Sequence, residues 1–137
     1  MANWLFKSEP TAFSWQRLVK EGRTDWSGVR NYQANNNMKA MKVGDRGFFY
    51  HSVTEKQIVG IVEVIGAWRL DPSDKTDRFG MVVVKPVTAL HNPVTLEAIK
   101  AEPSLAELPL LRQSRLSVTP IAAPAWKKIC ALGGIKA

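Results

Sequence analysis

An uninterrupted apolar run, Trp4-Leu5-Phe6, ends in the polar Lys7-Ser8-Glu9-Pro10, where proline removes a backbone donor, so a short strand is expected there. Phe13, Trp15, Leu18 and Val19 then recur at helical spacing. Ser14 is placed to cap that helix, Phe13 to fold onto Leu18, and Gly22 to stop it. Tyr32, Asn35, Met38 and Met41 repeat the spacing with Lys39 and Lys42 on other faces, but asparagine is a poor helix former and this second helix should be short. Val43-Gly44-Asp45 is a turn into the aromatic strand 46–52. A further strand, Ile58 to Ile65, follows, in which Gly60 marks a bulge or a close approach.

From Trp68 to Arg78 the chain turns polar, and this is expected to be its largest loop. Met81 to Val87 reads as a strand buried on both sides as far as Lys85. Thr95, Leu96 and Ile99 predict a short helix ended by Pro103, and Ser104-Leu105-Ala106-Glu107 has capping-box spacing. Leu110 to Ile121 reads as a turn into a final strand, and Pro124, Trp126, Ile129, Cys130 and Leu132 as a C-terminal helix stopped by Gly133. With no repeat, low-complexity segment or linker, residues 1–137 are expected to form one domain. Five or so strands mixed with short helices favour an α+β fold with a small, mostly antiparallel, curved sheet or barrel capped by helices.

Composition narrows the function classes. Lys and Arg number 19 against 12 Asp and Glu, a formal net charge of +7, which favours polyanionic partners. Cys130 is the single cysteine and His51 and His91 the two histidines, so neither a disulfide nor a Cys/His metal cluster is expected, and no cofactor is called for. Apolar runs are far short of a membrane span and the N-terminus does not read as a leader, so a soluble, intracellular, cytoplasmic protein is expected. The glycine-rich phosphate loop, the Gly-x-Ser-x-Gly elbow and the His-Glu-x-x-His helix are all missing. Ser8 or Ser52 could be drawn with His51 and Glu9 as a hydrolytic triad, but triads are defined by geometry, and His51 reads better as a hydrogen-bonding residue at a strand end. The expectation is a protein that is not an enzyme.

Candidate binding chemistry concentrates in Trp26-Ser27-Gly28-Val29-Arg30-Asn31-Tyr32-Gln33-Ala34-Asn35-Asn36. Indole and phenol offer flat faces, amides can read the edge of a base, and Arg30 can fork onto a phosphate. An equally weighted alternative makes Trp26 a core anchor, Gly28 a turn and Tyr32 the first residue of a helix. Lys7, Ser8 and Glu9 follow one strand and His51 and Ser52 another. If both strand ends lie beside Trp26, polar groups converge on an aromatic face, with Arg30, Arg112 and Arg115 available for phosphates. For Arg112 and Arg115 a solvated turn is the competing reading.

Taken together, Trp4 to Pro10, Trp26 to Asn36, Met41-Lys42-Val43-Gly44-Asp45, Phe48-Phe49-Tyr50-His51-Ser52, Gly60-Ile61-Val62-Glu63-Val64 and Arg112-Gln113-Ser114-Arg115-Leu116-Ser117-Val118 resemble the EVE domain in order and spacing over almost the whole chain. The resemblance implies a PUA-like fold of five to six strands, a curved mixed sheet or barrel surrounded by short helices, related to the YTH domains that read methylated adenine. It also implies a reader of modified bases in DNA or RNA. Trp26 would wall the base with Ser27 beside it, Lys7, Ser8 and Glu9 would line the pocket, and Asn31 would face the base edge. Many family members carry Tyr-Pro-Asp-Pro where this chain has Trp68-Arg69-Leu70-Asp71-Pro72, which leaves Trp68 and Phe79 as candidates for a second aromatic wall. A small-ligand or protein-interaction module using the same pocket is the alternative.

Overall fold

The computed structural model describes residues 2–113 and 115–136; Ser114, within the Arg112 to Val118 motif, lies outside the described residues. In chain order the elements are β1 (Asn3–Ser8), α1 (Trp15–Glu21), β2 (Thr24–Asp25), α2 (Tyr32–Ala40), β3 (Arg46–His51), β4 (Gln57–Leu70), β5 (Gly80–Thr95), α3 (Leu96–Ala101), a 3-10 turn (Pro103–Leu105), α4 (Pro109–Arg112), β6 (Val118–Ile121) and α5 (Ala123–Leu132). The strands make one six-stranded sheet in the order β2-β5-β4-β3-β1-β6. β1 and β3 run parallel, while the other neighbours are antiparallel. The fold is therefore α+β with a mixed sheet that stays open, its edges at β2 and β6, and not a closed barrel.

Helix α1 starts and stops where its sequence says. The Ser14 hydroxyl accepts from the Arg17 N–H, and Gly22 takes the left-handed conformation that ends the helix. Thr95 caps α3 in the same way, accepting from the Ala98 N–H. The expected capping box at Ser104 does not form: Glu102 is the cap, its carboxylate accepting from the Ser104 N–H and hydroxyl. Leu110 to Arg112, expected in a turn, lies in the single helical turn α4, which begins at Pro109.

The largest correction concerns residues 68–78. β4 runs for 14 residues to Leu70, so Trp68 and Arg69 are strand, with Arg69 opposite Met81 and Leu70 opposite Gly80. Only the stretch after Leu70 is loop, and its ends are tied where the Asp71 N–H donates to the Phe79 carbonyl at 3.0 Å. Likewise β5 is longer than expected, 16 residues in place of seven. Its second half is mostly exposed, with Leu90 and Val94 the buried positions, and carries no continuous apolar run.

Alternation along the strands divides the core between the two faces of the sheet. Trp4, Phe6, Phe49, Val62 and Val64 pack on one face with Trp15, Leu18, Trp26 and Met38. Leu5, Phe48, Tyr50, Ile58 and Ile61 pack on the other with Ile99, Trp126 and Ile129. Ile58 and Ile61 share a face although they are three apart, because the register shifts between Ile58 and Gly60 insert one extra residue. Val59 is that extra residue, and a Cβ on the neighbouring Gly60 would sit 2.5 Å from the Trp15 ring, so this glycine is the seat for that indole.

Candidate functional site

At the C-terminal end of β1 the chain encloses a cavity of about 470 Å³, bounded by Lys7-Ser8-Glu9, the start of α1 and residues 24–30. The polar end of β1 is held open by local bonds. The Ser8 hydroxyl donates to the Phe13 carbonyl at 2.6 Å, and the Glu9 carbonyl accepts from the Ala12 and Phe13 N–H groups, which turns the chain away from the sheet. Trp26 enters from β2, whose pairing with β5 is continued by the Trp26 N–H donating to the Val82 carbonyl at 2.8 Å. Its indole is only 9% exposed and meets Phe6 at 5.1 Å and Phe49 at 5.8 Å, both edge-on. Trp26 thus anchors the core and also lines the cavity.

Gly28, at φ +81°, presents its N–H to Asp71 Oδ2 at 2.7 Å. The same oxygen accepts from Arg30 at 3.3 Å, while the Ser73 N–H and hydroxyl donate to Oδ1. Burial of Asp71 opposes its ionisation, but these donors outweigh it and lower its carboxyl from 3.8 to about 2. The cavity wall at 28–30 is thus fastened to the loop after β4 by a buried carboxylate. Arg30 is 41% exposed, with its guanidinium also bonded to the Ser73 hydroxyl at 3.1 Å and lying 5.8 Å from the Phe79 ring. Asp74 closes the rest of that loop. The Thr76 hydroxyl and N–H and the Phe79 and Arg78 N–H groups donate to it and hold its carboxyl well below the usual range.

Three of the amides after Arg30 are consumed internally. The Asn31 side chain caps α2 by accepting from the Ala34 N–H at 2.9 Å. Asn35 is buried; its Oδ1 accepts from Trp68 Nε1 at 2.8 Å and the Gly80 N–H at 2.9 Å, and its Nδ2 donates to the Arg78 carbonyl. Asn37 donates to the Val118 carbonyl at 2.7 Å. Trp68 is spent on Asn35 and on a cation contact with Lys39 at 4.8 Å, and Phe79 packs on Tyr32 at 4.9 Å. Asn31, Trp68 and Phe79 therefore lie outside the cavity lining.

His51 is buried in the fold. Its Nε2 accepts from the Trp15 N–H at 3.0 Å, which leaves the ring proton on Nδ1, donated to Glu55 at 2.8 Å. That hydrogen bond holds the Glu55 carboxyl below its ordinary value. With both ring nitrogens engaged, His51 pairs with neither the Ser8 nor the Ser52 hydroxyl, and the drawn triad does not assemble.

A second cavity, about 460 Å³, adjoins the first and receives Ser52 and Arg115. Lys7, Glu9 and Ser117 border both, and the Lys7 N–H donates to the Ser117 carbonyl at 2.9 Å along the ridge between them. Arg112 lines neither cavity; it is paired with Glu107 at 2.6 Å on the surface. Sequence reasoning passed over Phe13, Arg17, Asp25 and Ser117 as lining residues, and Asp71 as the support behind them. Asp71-Pro72-Ser73, an aspartate placed to take the N–H two residues on, is the signal that could have found the last. Among the described residues no group of His, Cys, Asp and Glu could hold a metal, and no helix is long and apolar enough to cross a membrane.

Three solved proteins share this fold. An NMR structure of a Rhodopseudomonas palustris protein matches with a TM-score of 0.93 and 48% identity over 98% of this chain and 94% of that one. Human thymocyte nuclear protein 1 is 31% identical over 154 residues, 88% of this chain and 68% of that protein. Its crystal structure, human THYN1 protein in complex with 5-methylcytosine containing DNA, matches with a TM-score of 0.91 and 29% identity over 100% of both chains. The YTH domain of the Zygosaccharomyces rouxii MRB1 protein, in complex with N6-methyladenosine RNA, shares the fold at a TM-score of 0.62 and 17% identity, over 96% of this chain and 86% of that domain. The EVE domain model matches residues 2–132, and the chain belongs to the EVE family.

Proposed function

We propose that this chain is a non-catalytic reader of a modified nucleobase in DNA or RNA, which takes the base into the cavity beside Trp26. The observation that carries this reading is the whole-chain likeness to human THYN1, whose structure holds 5-methylcytosine DNA. The cavity, about 470 Å³, lies within the ~300–1,000 Å³ typical of small-ligand sites. In this reading Trp26 and Ser27 bound the base, Lys7, Ser8 and Glu9 offer it donors and acceptors, and Arg30 braces the wall. The whole of residues 1–137 acts as one EVE domain. A single cysteine, and so no internal disulfide, suits a reducing compartment, and we place the reader in the cytoplasm.

Anisotropy titrations of labelled short strands, DNA and RNA, methylated and unmodified, test the reading. Trp26→Ala should weaken binding of the preferred strand about tenfold or more, since stacking on an aromatic ring contributes ~1–3 kcal/mol per base. Ser27→Phe, at an exposed position on the cavity rim, should abolish the preference while leaving the melting temperature unchanged. Wild-type selectivity that survives in folded Ser27→Phe would sink the assignment of the cavity. Balanced charge in the cavity favours a second reading, a free nucleoside as ligand. Affinity that stays flat with added salt would select it, because phosphate contacts make binding fall with ionic strength.

A further inference from the structure

The two adjoining cavities differ in charge. Lys7, Arg17 and Arg30 face Glu9, Glu21 and Asp25 across the first, three cations against three carboxylates, which suits a neutral base. The second has Lys7, Lys56 and Arg115 against Glu9 alone, three against one, which suits an anion. Within the first cavity Arg17 is paired with Glu21 and Arg30 with Asp71. Neither Lys56 nor Arg115 is ion-paired among the described residues, and both are exposed.

The turn that carries Lys56 is built at a conformational cost. Val53 has φ +67°, in the left-handed region that β-branched side chains avoid, and is 60% exposed; Lys56 follows at φ +51°. No burial of Val53 explains that backbone. The turn is instead fixed from outside: the Ser52 N–H donates to the Ser8 carbonyl at 2.9 Å and the Lys56 carbonyl accepts from the Leu96 N–H at 2.8 Å. Both strained residues line the second cavity, with Ser52 and Arg115 across from them. Strain maintained by surrounding bonds at an exposed turn is characteristic of ligand-binding segments.

We propose that the second cavity is the subsite for the backbone phosphate flanking the recognised base, so that a nucleic-acid strand crosses the Lys7 and Ser117 ridge with its base on one side and its phosphate on the other. This rests on the base-reading function proposed above. Lys56 and Arg115 then supply affinity and register without reading sequence.

The double variant Lys56→Asn, Arg115→Ala tests it, asparagine being chosen because it tolerates positive φ. Short single strands of DNA with one central 5-methylcytosine or cytosine are titrated from low to physiological salt. Affinity for both strands should fall by the same factor, roughly tenfold or more. The slope of log K against log salt should flatten by about 1.4, about 0.7 for each lost phosphate contact on a single strand. The ratio between methylated and unmodified strands should not change. Unaltered affinity and slope in the folded variant would overturn the subsite, as would a collapse of the ratio with the slope intact, since the two residues would then belong to the base site. If the double variant melts early, Arg115→Ala alone carries the same test at half the slope change. A wild-type protein that prefers no modified strand, DNA or RNA, over its unmodified counterpart would instead remove the base-reading proposal, and the subsite with it.

Discussion

Trp26 serves the core and the cavity together, and the two roles have separable magnitudes. Truncating a buried tryptophan to alanine costs ~3–5 kcal/mol, more than the ~1–3 kcal/mol of a lost base stack. Denaturant unfolding of Trp26→Ala should therefore show a destabilisation that exceeds the loss in binding energy. Trp26→Phe, which keeps an aromatic ring against Phe6 and Phe49, should cost far less stability. A Trp26→Ala protein as stable as the wild type would contradict the packing. Asn35 illustrates the opposite case. In the sequence it belongs to an amide run that invites base-edge recognition, yet its carbonyl holds the Trp68 and Gly80 N–H groups together. Amide side chains pair with backbone or base equally well, and only the long-range partners, 33 and 45 residues away, decide which. Asn35→Ala would leave the buried Gly80 N–H unpaired, at ~1–3 kcal/mol, together with the half-buried Trp68 indole N–H, and urea unfolding should register it without any change in what a folded molecule binds.

Among the elements, the loop after β4 and the segment 26–30 act as one unit through Asp71. Its carboxyl is lowered from 3.8 to about 2, so the ionised form is the one the fold stabilises. The sign follows: the contribution is complete above about pH 4 and is lost as the pH falls toward 2. Asp71→Asn should lower stability at neutral pH and remove this part of the acid dependence, as read by thermal melts across that range. Because Gly28 and Arg30 lose their anchor, strand affinity should fall as well. An unchanged acid profile in the variant would refute the coupling. Elements with dense periodic signals were readable from sequence: α1 with its Ser14 cap, β3 with its aromatic run, and the bulge beside Gly60. The far half of β4 was not. Ala67, Arg69 and Leu70 are exposed, so the hydrophobic pattern that marks a strand fades although the pairing to β5 continues. Cavity residues at strand ends, Lys7, Ser8, Glu9 and Ser52, were foreseeable because polar groups end apolar runs there. Arg17 and Asp25 were not, since a charge on a helix face or short edge strand reads as solvated.

For the molecule as a whole, the sheet separates two apolar layers with different jobs. The layer containing Trp26, Phe6, Phe49 and Trp15 carries the first cavity, whereas the layer around Ile129 and Trp126 lies on the other face. A ligand that binds only the folded state stabilises it by ~2.7 kcal/mol at one hundred times its Kd. For a chain of this length that corresponds to a rise in Tm of roughly 10 °C. Ile129→Ala, at a fully buried position, should remove ~2–5 kcal/mol and lower Tm in the absence of ligand. The increment produced by a saturating amount of the preferred strand should nevertheless match the wild type, because Ile129 lines neither cavity and distant sites contribute independently. Phe49→Leu, by contrast, removes a ring that meets both Trp15 and Trp26. It should lower both the starting Tm and the increment, since the cavity wall relaxes with the core. Thermal melts of the three proteins with and without the strand decide the matter. Equal shrinkage of the increment in Ile129→Ala would mean that packing around Ile129 reaches the bound strand, through the sheet to the first cavity or through Tyr50 and Leu110 to the second.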